Sequence, residues 1–253
     1  MEVICTERFL QRANIPENNV SLAAVSDQIP ELICELVNNY HIRVITPAPL
    51  TAVNGAERYH ADMSVCHAGD RLFYIDKDNR DLSSKLTFSG AAVIPVDGIT
   101  APAPKLNVCF LGDKLICCRK TASEELLSCC AGKNISIIHT NQKYAKCSAA
   151  VVSENAVITS DESIYRACKK NNIDVLKTVN EGIRLRGYDH GFIGGCCGLI
   201  ARDILAFSGN IEAHKNYAEI KAFASDHGVS IASLGSFDLY DIGGILPLME
   251  RTV

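Results

Sequence analysis

A repeat is the feature of this sequence that most constrains its fold. Four segments carry an apolar run, a short polar pair and a second run of alternating apolar residues: 60–76, 103–119, 145–161 and 193–209. The polar pairs Gly-Asp and Glu-Asn are typical of tight turns, whereas Arg-Asp is a weaker turn signal. The second residues of the four pairs lie 43, 42 and 48 positions apart: Asp70, Asp113, Asn155 and Asp203. This regular spacing predicts four equivalent β-hairpins.

Helix-like segments followed by short apolar strands separate the hairpins. These segments are 26–40, 123–132, 160–171 and 216–228, with a degenerate version at 82–90. We expect Ser26 or Asp27 to cap the first helix and Ser123 to cap the second. The C-terminal stretch 240–253 completes a fifth unit, and residues 3–8 or 20–25 supply the strand that closes it onto the first. The pattern predicts an α/β fold: one domain, residues 1–253, of five pseudosymmetric repeats around a central channel.

Composition and charge narrow the classes of function. The hydrophobic share of 47% and the charged share of 21% are ordinary for a soluble globular protein. A net charge of −4 argues against a general nucleic-acid binder. No apolar run has the length of a membrane span, and residues 1–19 do not resemble a signal peptide. We therefore expect a cytoplasmic protein without a nucleic-acid or membrane partner.

The twelve cysteines do not have the spacing typical of disulfides or metal sites. Three pairs are adjacent in sequence, no C-x-x-C motif occurs, and no Cys/His set has zinc-finger spacing. The sequence therefore predicts no metal and no cofactor, and most of these thiols are expected to be buried small side chains. Cys196 and Cys197 are candidates for a reactive thiol, because the glycines around them allow close approach of the backbone.

Reactive side chains occupy equivalent positions in two of the repeats. Eight residues before the turn residue, the four repeats carry Asp62, Lys105, Cys147 and Gly195. His60 precedes Asp62 by two positions, so on a β-strand both side chains would point to the same face. If equivalent strands line the channel, His60, Asp62 and Cys147 converge there. A thiolate, a proton shuttle and a carboxylate are what nucleophilic cysteine catalysis requires.

Three short segments resemble the pentein superfamily of guanidino-group-modifying enzymes, which includes arginine and agmatine deiminases, dimethylarginine dimethylaminohydrolase and amidinotransferases. The segment His60-x-Asp62 resembles the His-x-Asp motif of that superfamily. Cys147 lies two repeats later, where the nucleophilic cysteine of the superfamily lies. Asp241, followed by Ile-Gly-Gly, is similar to an acidic residue that stands beside Gly-Gly in those enzymes. The stretches "KCSAAVVSENAVITSD", "GFIGG" and "ILPL" are similar to a clostridial-type branch.

The resemblance implies a fold, a reaction and a set of roles. The fold would be a five-bladed α/β propeller, and the reaction a hydrolysis or amidino transfer on a small guanidino compound, without a cofactor. Cys147 would be the nucleophile, and His60 would move the proton. Asp62 and Asp241 would hold the cationic substrate or orient the histidine. Lys146 would lie at the substrate and help to lower the pKa of the thiol.

The sequence departs from the superfamily pattern in two respects. The repeats are circularly permuted relative to members whose cysteine lies near the C-terminus. The usual Phe-x-Arg-Asp segment, which supplies a substrate-binding carboxylate, has no counterpart in 190–200, and Asp189 just upstream is the candidate substitute. The alternative class is a non-catalytic pentein-fold binding protein with a degenerate site, for example one that binds the ribosome. Reaction of Cys147 with a haloacetamidine, and protection by a guanidinium ligand, would favour the enzyme, whereas an inert Cys147 sealed from solvent would exclude it.

Overall fold

The computed structural model describes residues 6–252 and places sixteen strands and seven α-helices within them. The strands are β1 (Thr6–Phe9), β2 (Val20–Ala24), β3 (Arg43–Ile45), β4 (Val65–His67), β5 (Leu72–Asp76), β6 (Ala92–Val96), β7 (Cys109–Leu111), β8 (Lys114–Cys117), β9 (Ser136–His139), β10 (Ala149–Ser153), β11 (Ala156–Thr159), β12 (Asp174–Lys177), β13 (Cys197–Ala201), β14 (Ile204–Phe207), β15 (Ser230–Ser233) and β16 (Leu246–Thr252). The helices are α1 (Pro30–Asn38), α2 (Ala61–Ser64), α3 (Arg80–Phe88), α4 (Glu124–Gly132), α5 (Ala145–Ser148), α6 (Glu162–Lys170) and α7 (Tyr217–Asp226).

The described strands form five small sheets, and four of these share one topology. Each has an antiparallel hairpin, then a helix, then a third strand that pairs in parallel with the second strand of the hairpin; the orders are β4-β5-β6, β7-β8-β9, β10-β11-β12 and β13-β14-β15. A parallel pair needs a crossover connection, and α3, α4, α6 and α7 provide it. The α/β class and the repeat are therefore as predicted.

All four predicted turns lie between the strands of a hairpin. Gly69 and Asp70 have φ values of 88° and 51°, which glycine and aspartate tolerate better than most residues. The pairs at 112–113, 154–155 and 202–203 are two-residue connections between consecutive strands. The regular spacing of these turns in the sequence thus reflects the repeat of the sheets.

The fifth sheet joins the two ends of the chain. Its order is β1-β16-β2-β3, so β16 lies between two N-terminal strands and pairs antiparallel with both. Both stretches expected to close the last unit therefore take part, although residues 3–5 of the first lie outside the described residues. Glu250 on β16 is fully buried and accepts hydrogen bonds from the backbone N–H of Glu17 (2.6 Å) and Asn18 (2.8 Å). The C-terminal strand is thus held by side-chain as well as ladder contacts.

Helix capping agrees with the sequence prediction at α4 and differs at α1. The Ser123 hydroxyl accepts a hydrogen bond from the N–H of Leu126 at 3.4 Å, as expected of an N-cap. The expectation that Ser26 or Asp27 caps α1 is wrong, because that helix begins at Pro30 with Ile29 as the N-cap. Proline is favoured in the first turn, where its missing N–H costs nothing. It therefore moves the start of the helix downstream.

Apolar clusters link each sheet to the next. One cluster joins the fifth sheet to β4 and β5, with Leu248 and Phe73 among its members. A second joins that β4 sheet to β7 and β8, and a third extends from β7 through β10 to β13. A fourth returns from β14 to β2 and α1, with Ala206 and Leu32 in it. Consecutive sheets, including the last and the first, thus bury side chains against one another.

A short segment precedes the first strand of each sheet and carries the predicted site residues. The expectation that His60, Asp62 and Cys147 lie on strands is wrong. Asp62 lies in the one-turn helix α2 with His60 at its N-cap, and Cys147 lies in the equivalent one-turn helix α5. A 3-10 turn, Ile193–Cys196, takes the same place before β13. The equivalence of these positions holds, although their local conformation is helical.

No helix between residues 6 and 252 is both long and apolar enough to cross a lipid bilayer.

Candidate active site

Four short segments, each ahead of a strand, bring five polar side chains together. They are His60 and Asp62 ahead of β4, Asn107 ahead of β7, Cys147 ahead of β10 and Asp241 ahead of β16. All five are almost completely buried. Since each comes from a different repeat, apart from the His60-Asp62 pair, the repeat itself assembles the cluster.

The Cys147 thiol lies at the centre of this cluster. Its Sγ donates a hydrogen bond to Oδ2 of Asp62 at 2.7 Å and lies 3.8 Å from Nδ1 of His60. Nδ1 of His60 is in turn 3.7 Å from Oδ1 of Asp241. A thiol, an imidazole and two carboxylates are therefore within reach of one another, as the repeat alignment predicted for the first three.

Asn107 positions the cysteine and was not identified from the sequence. Its amide oxygen accepts hydrogen bonds from the backbone N–H groups of Lys146 (2.9 Å) and Cys147 (3.2 Å). Its amide nitrogen donates to Sγ of Cys147 at 3.3 Å. A signal was present, because Asn107 is a lone amide ahead of the apolar run "VCFL" and a buried polar group needs partners.

Glycines make room for Asp241. The Oδ2 atom of Asp241 accepts from the N–H of Phe192 at 2.9 Å, and Oδ1 accepts from that of Gly243 at 3.1 Å. A Cβ at Gly195 would come within 2.0 Å of Oδ1 of Asp241, and one at Gly243 would come within 2.4 Å of Cβ of His60. Gly195 is the repeat equivalent of Asp62 and Cys147. The side chain that this repeat lacks is replaced in space by the carboxylate of Asp241.

A cavity of about 290 Å³, the thiol cavity, opens onto Cys147, His60 and Asp241. Its other lining residues are Glu57, Tyr144, Leu185, Tyr188, Asp189, His190 and Phe192. Cys147 is only 1% exposed to solvent, so this cavity is the route by which a small molecule would reach Sγ. Within the described part of the chain, no other cysteine lines it.

Glu57 is a buried carboxylate of the thiol cavity that the sequence reasoning missed. It is 6% exposed, and its Oε1 accepts a hydrogen bond from the hydroxyl of Tyr188 at 2.5 Å. Its Oε2 is buried and has no donor among residues 6–252. Gly55, whose φ of 99° favours glycine, lies beside it, and a Cβ there would come within 2.7 Å of Oε2. A buried carboxylate oxygen without a donor is costly, so a cationic ligand would satisfy it.

Two of the residues predicted to bind the substrate, Asp189 and Lys146, differ from each other in their position relative to the thiol cavity. Asp189 is exposed and lines the thiol cavity. Lys146 is buried, its Nζ donates to the carbonyl of Gly194 at 3.5 Å, and it is not part of that lining. It lies instead at a small cavity beside Asp62. From there its positive charge limits the rise that burial causes in the pKa of Asp62.

The rival thiols do not face the thiol cavity. Sγ of Cys196 and Sγ of Cys197 both donate to the carbonyl oxygen of Ile193, at 3.1 and 3.3 Å. Both side chains are buried, and burial raises the pKa of Cys197 to about 12 and that of Cys196 well above its usual value. These thiols stay protonated, and unlike Cys147 they do not line the cavity in which a bound cation would lower their pKa.

Burial and like charges set the protonation of the site. Burial raises the pKa of Asp62 from 3.8 to about 6, and the nearby positive charges of His60 and Lys146 limit the rise. Burial also raises the pKa of Cys147 well above 9, and the negative charges of Asp62 and Asp241 add to the rise. Without a ligand, Cys147 is therefore a thiol at neutral pH. A cation in the thiol cavity would counter both carboxylates and favour the thiolate.

The same atoms could hold a metal ion. The ligand atoms of His60, Asp62 and Cys147 all lie within 4.8 Å of one another. Thiolate, imidazole and carboxylate are the ligand types that zinc takes, and the thiol would lose its proton on binding. The sequence predicts no metal, because these three residues are close in the fold but do not have the sequence spacing of a metal-binding motif.

Known structures share the fold. Agmatine deiminase from C. jejuni is 12% identical, with a TM-score of 0.54 over 90% of this chain and 90% of that one. Inosamine-phosphate amidinotransferase from Streptomyces griseus is 13% identical, with a TM-score of 0.54 over 90% and 92%. Dimethylarginine dimethylaminohydrolase from Pseudomonas aeruginosa is 10% identical, with a TM-score of 0.55 over 92% and 100%. All three are pentein superfamily members, which confirms the resemblance inferred from the sequence.

Sequence comparison gives a family. No curated protein matches the chain. The profile of a family of unknown function, DUF6873, matches residues 24–246, which is most of the chain. The closer similarity to a clostridial-type branch stays a prediction. The chain is therefore a member of the DUF6873 family, and its fold is that of the pentein superfamily.

Proposed function

We propose that this protein is a cysteine-nucleophile enzyme that cleaves or transfers a C–N bond of a small guanidino compound. The observation that carries the proposal is the position of Sγ of Cys147. It lies on a cavity, 2.7 Å from a carboxylate and 3.8 Å from an imidazole, with Asn107 fixing its backbone. Its structural neighbours include a deiminase, a dimethylaminohydrolase and amidinotransferases, which supports the same class of reaction.

We also propose that the five sheets form one domain, closed as a five-bladed propeller. Successive sheets contact one another through β7 and β10, β10 and β13, and β13 and β16. The apolar clusters link the sheets in a cycle, and β16 joins the two ends of the chain. In such a ring the segments ahead of the first strands meet at the axis, which explains why Asp62, Cys147 and Asp241 converge.

The charges of the thiol cavity favour a cation. Glu57, Asp189 and Asp241 line it, and Asp62 lies directly behind the thiol. A guanidinium carries five or six N–H donors in a plane, and carboxylates satisfy them through charge-assisted hydrogen bonds. Glu57 has a free buried oxygen that would accept one of them. Glu57 would thereby replace the substrate-binding carboxylate that the segment 190–200 lacks.

In the first step of the proposed reaction, Sγ of Cys147 attacks the guanidinium carbon. The bound cation lowers the pKa of the thiol, whose proton already points to Asp62. Asp62 passes the thiol proton to His60, and His60 delivers it to the leaving nitrogen as the C–N bond breaks. The thiol proton thus ends on the amine or ammonia that leaves. Water or an acceptor amine then attacks the amidino-thioether and restores the thiol, which gives hydrolysis or transfer.

A substrate screen tests the proposal. Ammonia, amine and ureido products are measured with arginine, agmatine, methylated arginines and shorter guanidino acids, with and without an acceptor amine. We expect turnover of at least one compound, a loss of about a thousandfold in Cys147→Ser and His60→Gln, and little change in the matched thiol control Cys196→Ser. Turnover that survives in Cys147→Ser, or no turnover of any compound, would refute the proposal.

A further inference from the structure

A second cavity adjoins the thiol cavity. Its volume is about 390 Å³, and it shares His60 and Asp241 with the thiol cavity. We call it the arginine cavity, because Arg58 and Arg186 line it. Hydroxyl and amide side chains complete its polar lining: Ser26, Gln28, Tyr59 and Tyr240. The two cavities therefore meet at the histidine that the proposed reaction uses.

The two cavities differ in charge. Three carboxylates line the thiol cavity, whereas the arginine cavity has two guanidinium groups and, among the described residues, no carboxylate besides the shared Asp241. The difference arises within one 3-10 turn, Ala56–Tyr59, in which the neighbours Glu57 and Arg58 line different cavities. A negative compartment and a positive one therefore lie on either side of the same turn.

The two arginines lack partners within the protein. Neither Arg58 nor Arg186 forms an ion pair or a side-chain hydrogen bond with any residue of 6–252, and Nε of Arg58 is buried without an acceptor. By contrast, Arg184, two residues from Arg186, pairs with Asp238 at 2.5 Å. The guanidinium of Arg58 lies 5.4 Å from the ring centre of Tyr59, which holds it in place. A buried donor without an acceptor costs free energy that an oxyanion would recover.

We propose that the arginine cavity binds the anionic end of the substrate, a carboxylate or a phosphate, while the guanidinium end occupies the thiol cavity. The proposal rests on the proposed function and narrows its substrate class. The fork of an arginine matches planar and tetrahedral oxyanions alike and can bind such a group bidentately. Because the cavities share His60, one molecule that spans both passes the reacting centre. A guanidino compound with a second cation instead of the anion would meet repulsion from both arginines.

A matched pair of ligands tests this. 4-Guanidinobutyrate and agmatine have the same guanidine on a similar chain but opposite charges at the far end. Their binding is measured by calorimetry with the Cys147→Ser protein, which prevents turnover, and then with Arg58→Gln or Arg186→Gln added. Arg184→Gln is the control, since it removes the same charge from the same loop outside both cavities. Thermal melting shows that each variant is folded.

We expect 4-guanidinobutyrate to bind at least about tenfold more tightly than agmatine, the usual effect of a charge-assisted pair. Arg58→Gln and Arg186→Gln should remove most of that preference without weakening agmatine, and Arg184→Gln should leave it. Equal binding of the two ligands, or an equal loss for both in Arg58→Gln, would overturn the proposal. A third ligand, 3-guanidinopropyl phosphate, tells which oxyanion is preferred.

Glutarate and inorganic phosphate carry an anion but no guanidine. Their binding therefore distinguishes a failure of this proposal from a failure of the proposed function. If guanidino compounds bind without a preference for the anionic one, the arginine site is refuted and the function stands. If no guanidino compound binds but glutarate or phosphate binds and depends on Arg58, both the function and the spanning substrate are refuted. If none of these ligands binds, both are refuted as well.

Discussion

Removal of the charge of Asp62 should accelerate a neutral alkylating reagent and reduce the rate advantage of a cationic one. Asp62→Asn keeps the shape of the side chain and takes away the negative charge 2.7 Å from Sγ of Cys147. A charge this close shifts a pKa by about one to three units. Because the thiol pKa lies well above 9, the thiolate fraction at pH 7.5 should rise about 10- to 1000-fold. Nucleophilicity falls with the pKa at a slope of about 0.5, which leaves a net gain of about 3- to 30-fold.

The assay is the rate of adduct formation, followed by intact mass with neutral 2-chloroacetamide and cationic 2-chloroacetamidine. The neutral reagent should react faster with Asp62→Asn than with the wild type. The rate advantage of the cationic reagent should fall about tenfold, because one of the attracting carboxylates is gone. Asp189→Asn, which removes a charge from the exposed mouth of the cavity, should not accelerate the neutral reagent. Slower reaction of Asp62→Asn with both reagents would refute the reasoning about the thiol pKa.

Three further predictions concern stability, metal binding and packing. The folded-state pKa of Asp62 is raised from 3.8 to about 6, so its protonated form stabilises the fold below pH 4 and this contribution is lost as the pH rises through 6. Urea unfolding should therefore show a stability lower by about 2 kcal/mol at pH 7.5 than at pH 4.5 in the wild type, and no such difference from this group in Asp62→Asn. Micromolar Zn²⁺ should block alkylation of Cys147 at pH 7.5 and EDTA should restore it, whereas unchanged labelling would exclude binding at these ligands. Gly195→Ala should displace the carboxylate of Asp241 and cost about 1–3 kcal/mol in unfolding free energy, whereas Gly132→Ala, which meets no atom within 4 Å, should be tolerated; equal stabilities would contradict the packing.

The sequence predicts the repeat well because its signals are local. Turn residues and apolar alternation depend on a few neighbouring residues, and all four turns lie where the spacing puts them. The order of segments along the chain leaves open which hairpin each strand joins, and in each sheet the strand after the helix pairs with the hairpin before it. Strand pairing is a tertiary contact, and local sequence signals do not show which strands will pair.

The cap of the first helix shows how two local signals compete. Ser26 and Asp27 are good N-cap residues, but Pro30 fixes the first turn of α1 and so starts the helix downstream. The one-turn helices α2 and α5 are a different case. Four residues are too few for a helical period to be read, so His60 and Asp62 were expected on a strand.

Two residues of the candidate site act through partners that lie far along the chain. Asn107 lies 40 positions before Cys147, and Glu57 lies 131 positions before its partner Tyr188. Their importance comes from contacts between distant repeats, which composition does not reveal. Asp241, by contrast, was predicted by resemblance, and its placement explains why Gly195 stands where the other repeats carry larger side chains.

Labelling of the whole chain with 2-chloroacetamidine tests the central claim most directly. Cys34 is exposed and serves as the internal standard for an ordinary thiol, whereas Cys147 is buried at the cavity. Peptide mapping at pH 7 should find Cys147 modified first, at least about tenfold faster than Cys34, with protection by a bound guanidino compound. The neutral reagent should show no such preference. Modification of Cys34 alone, with Cys147 untouched by the cationic reagent, would contradict the account.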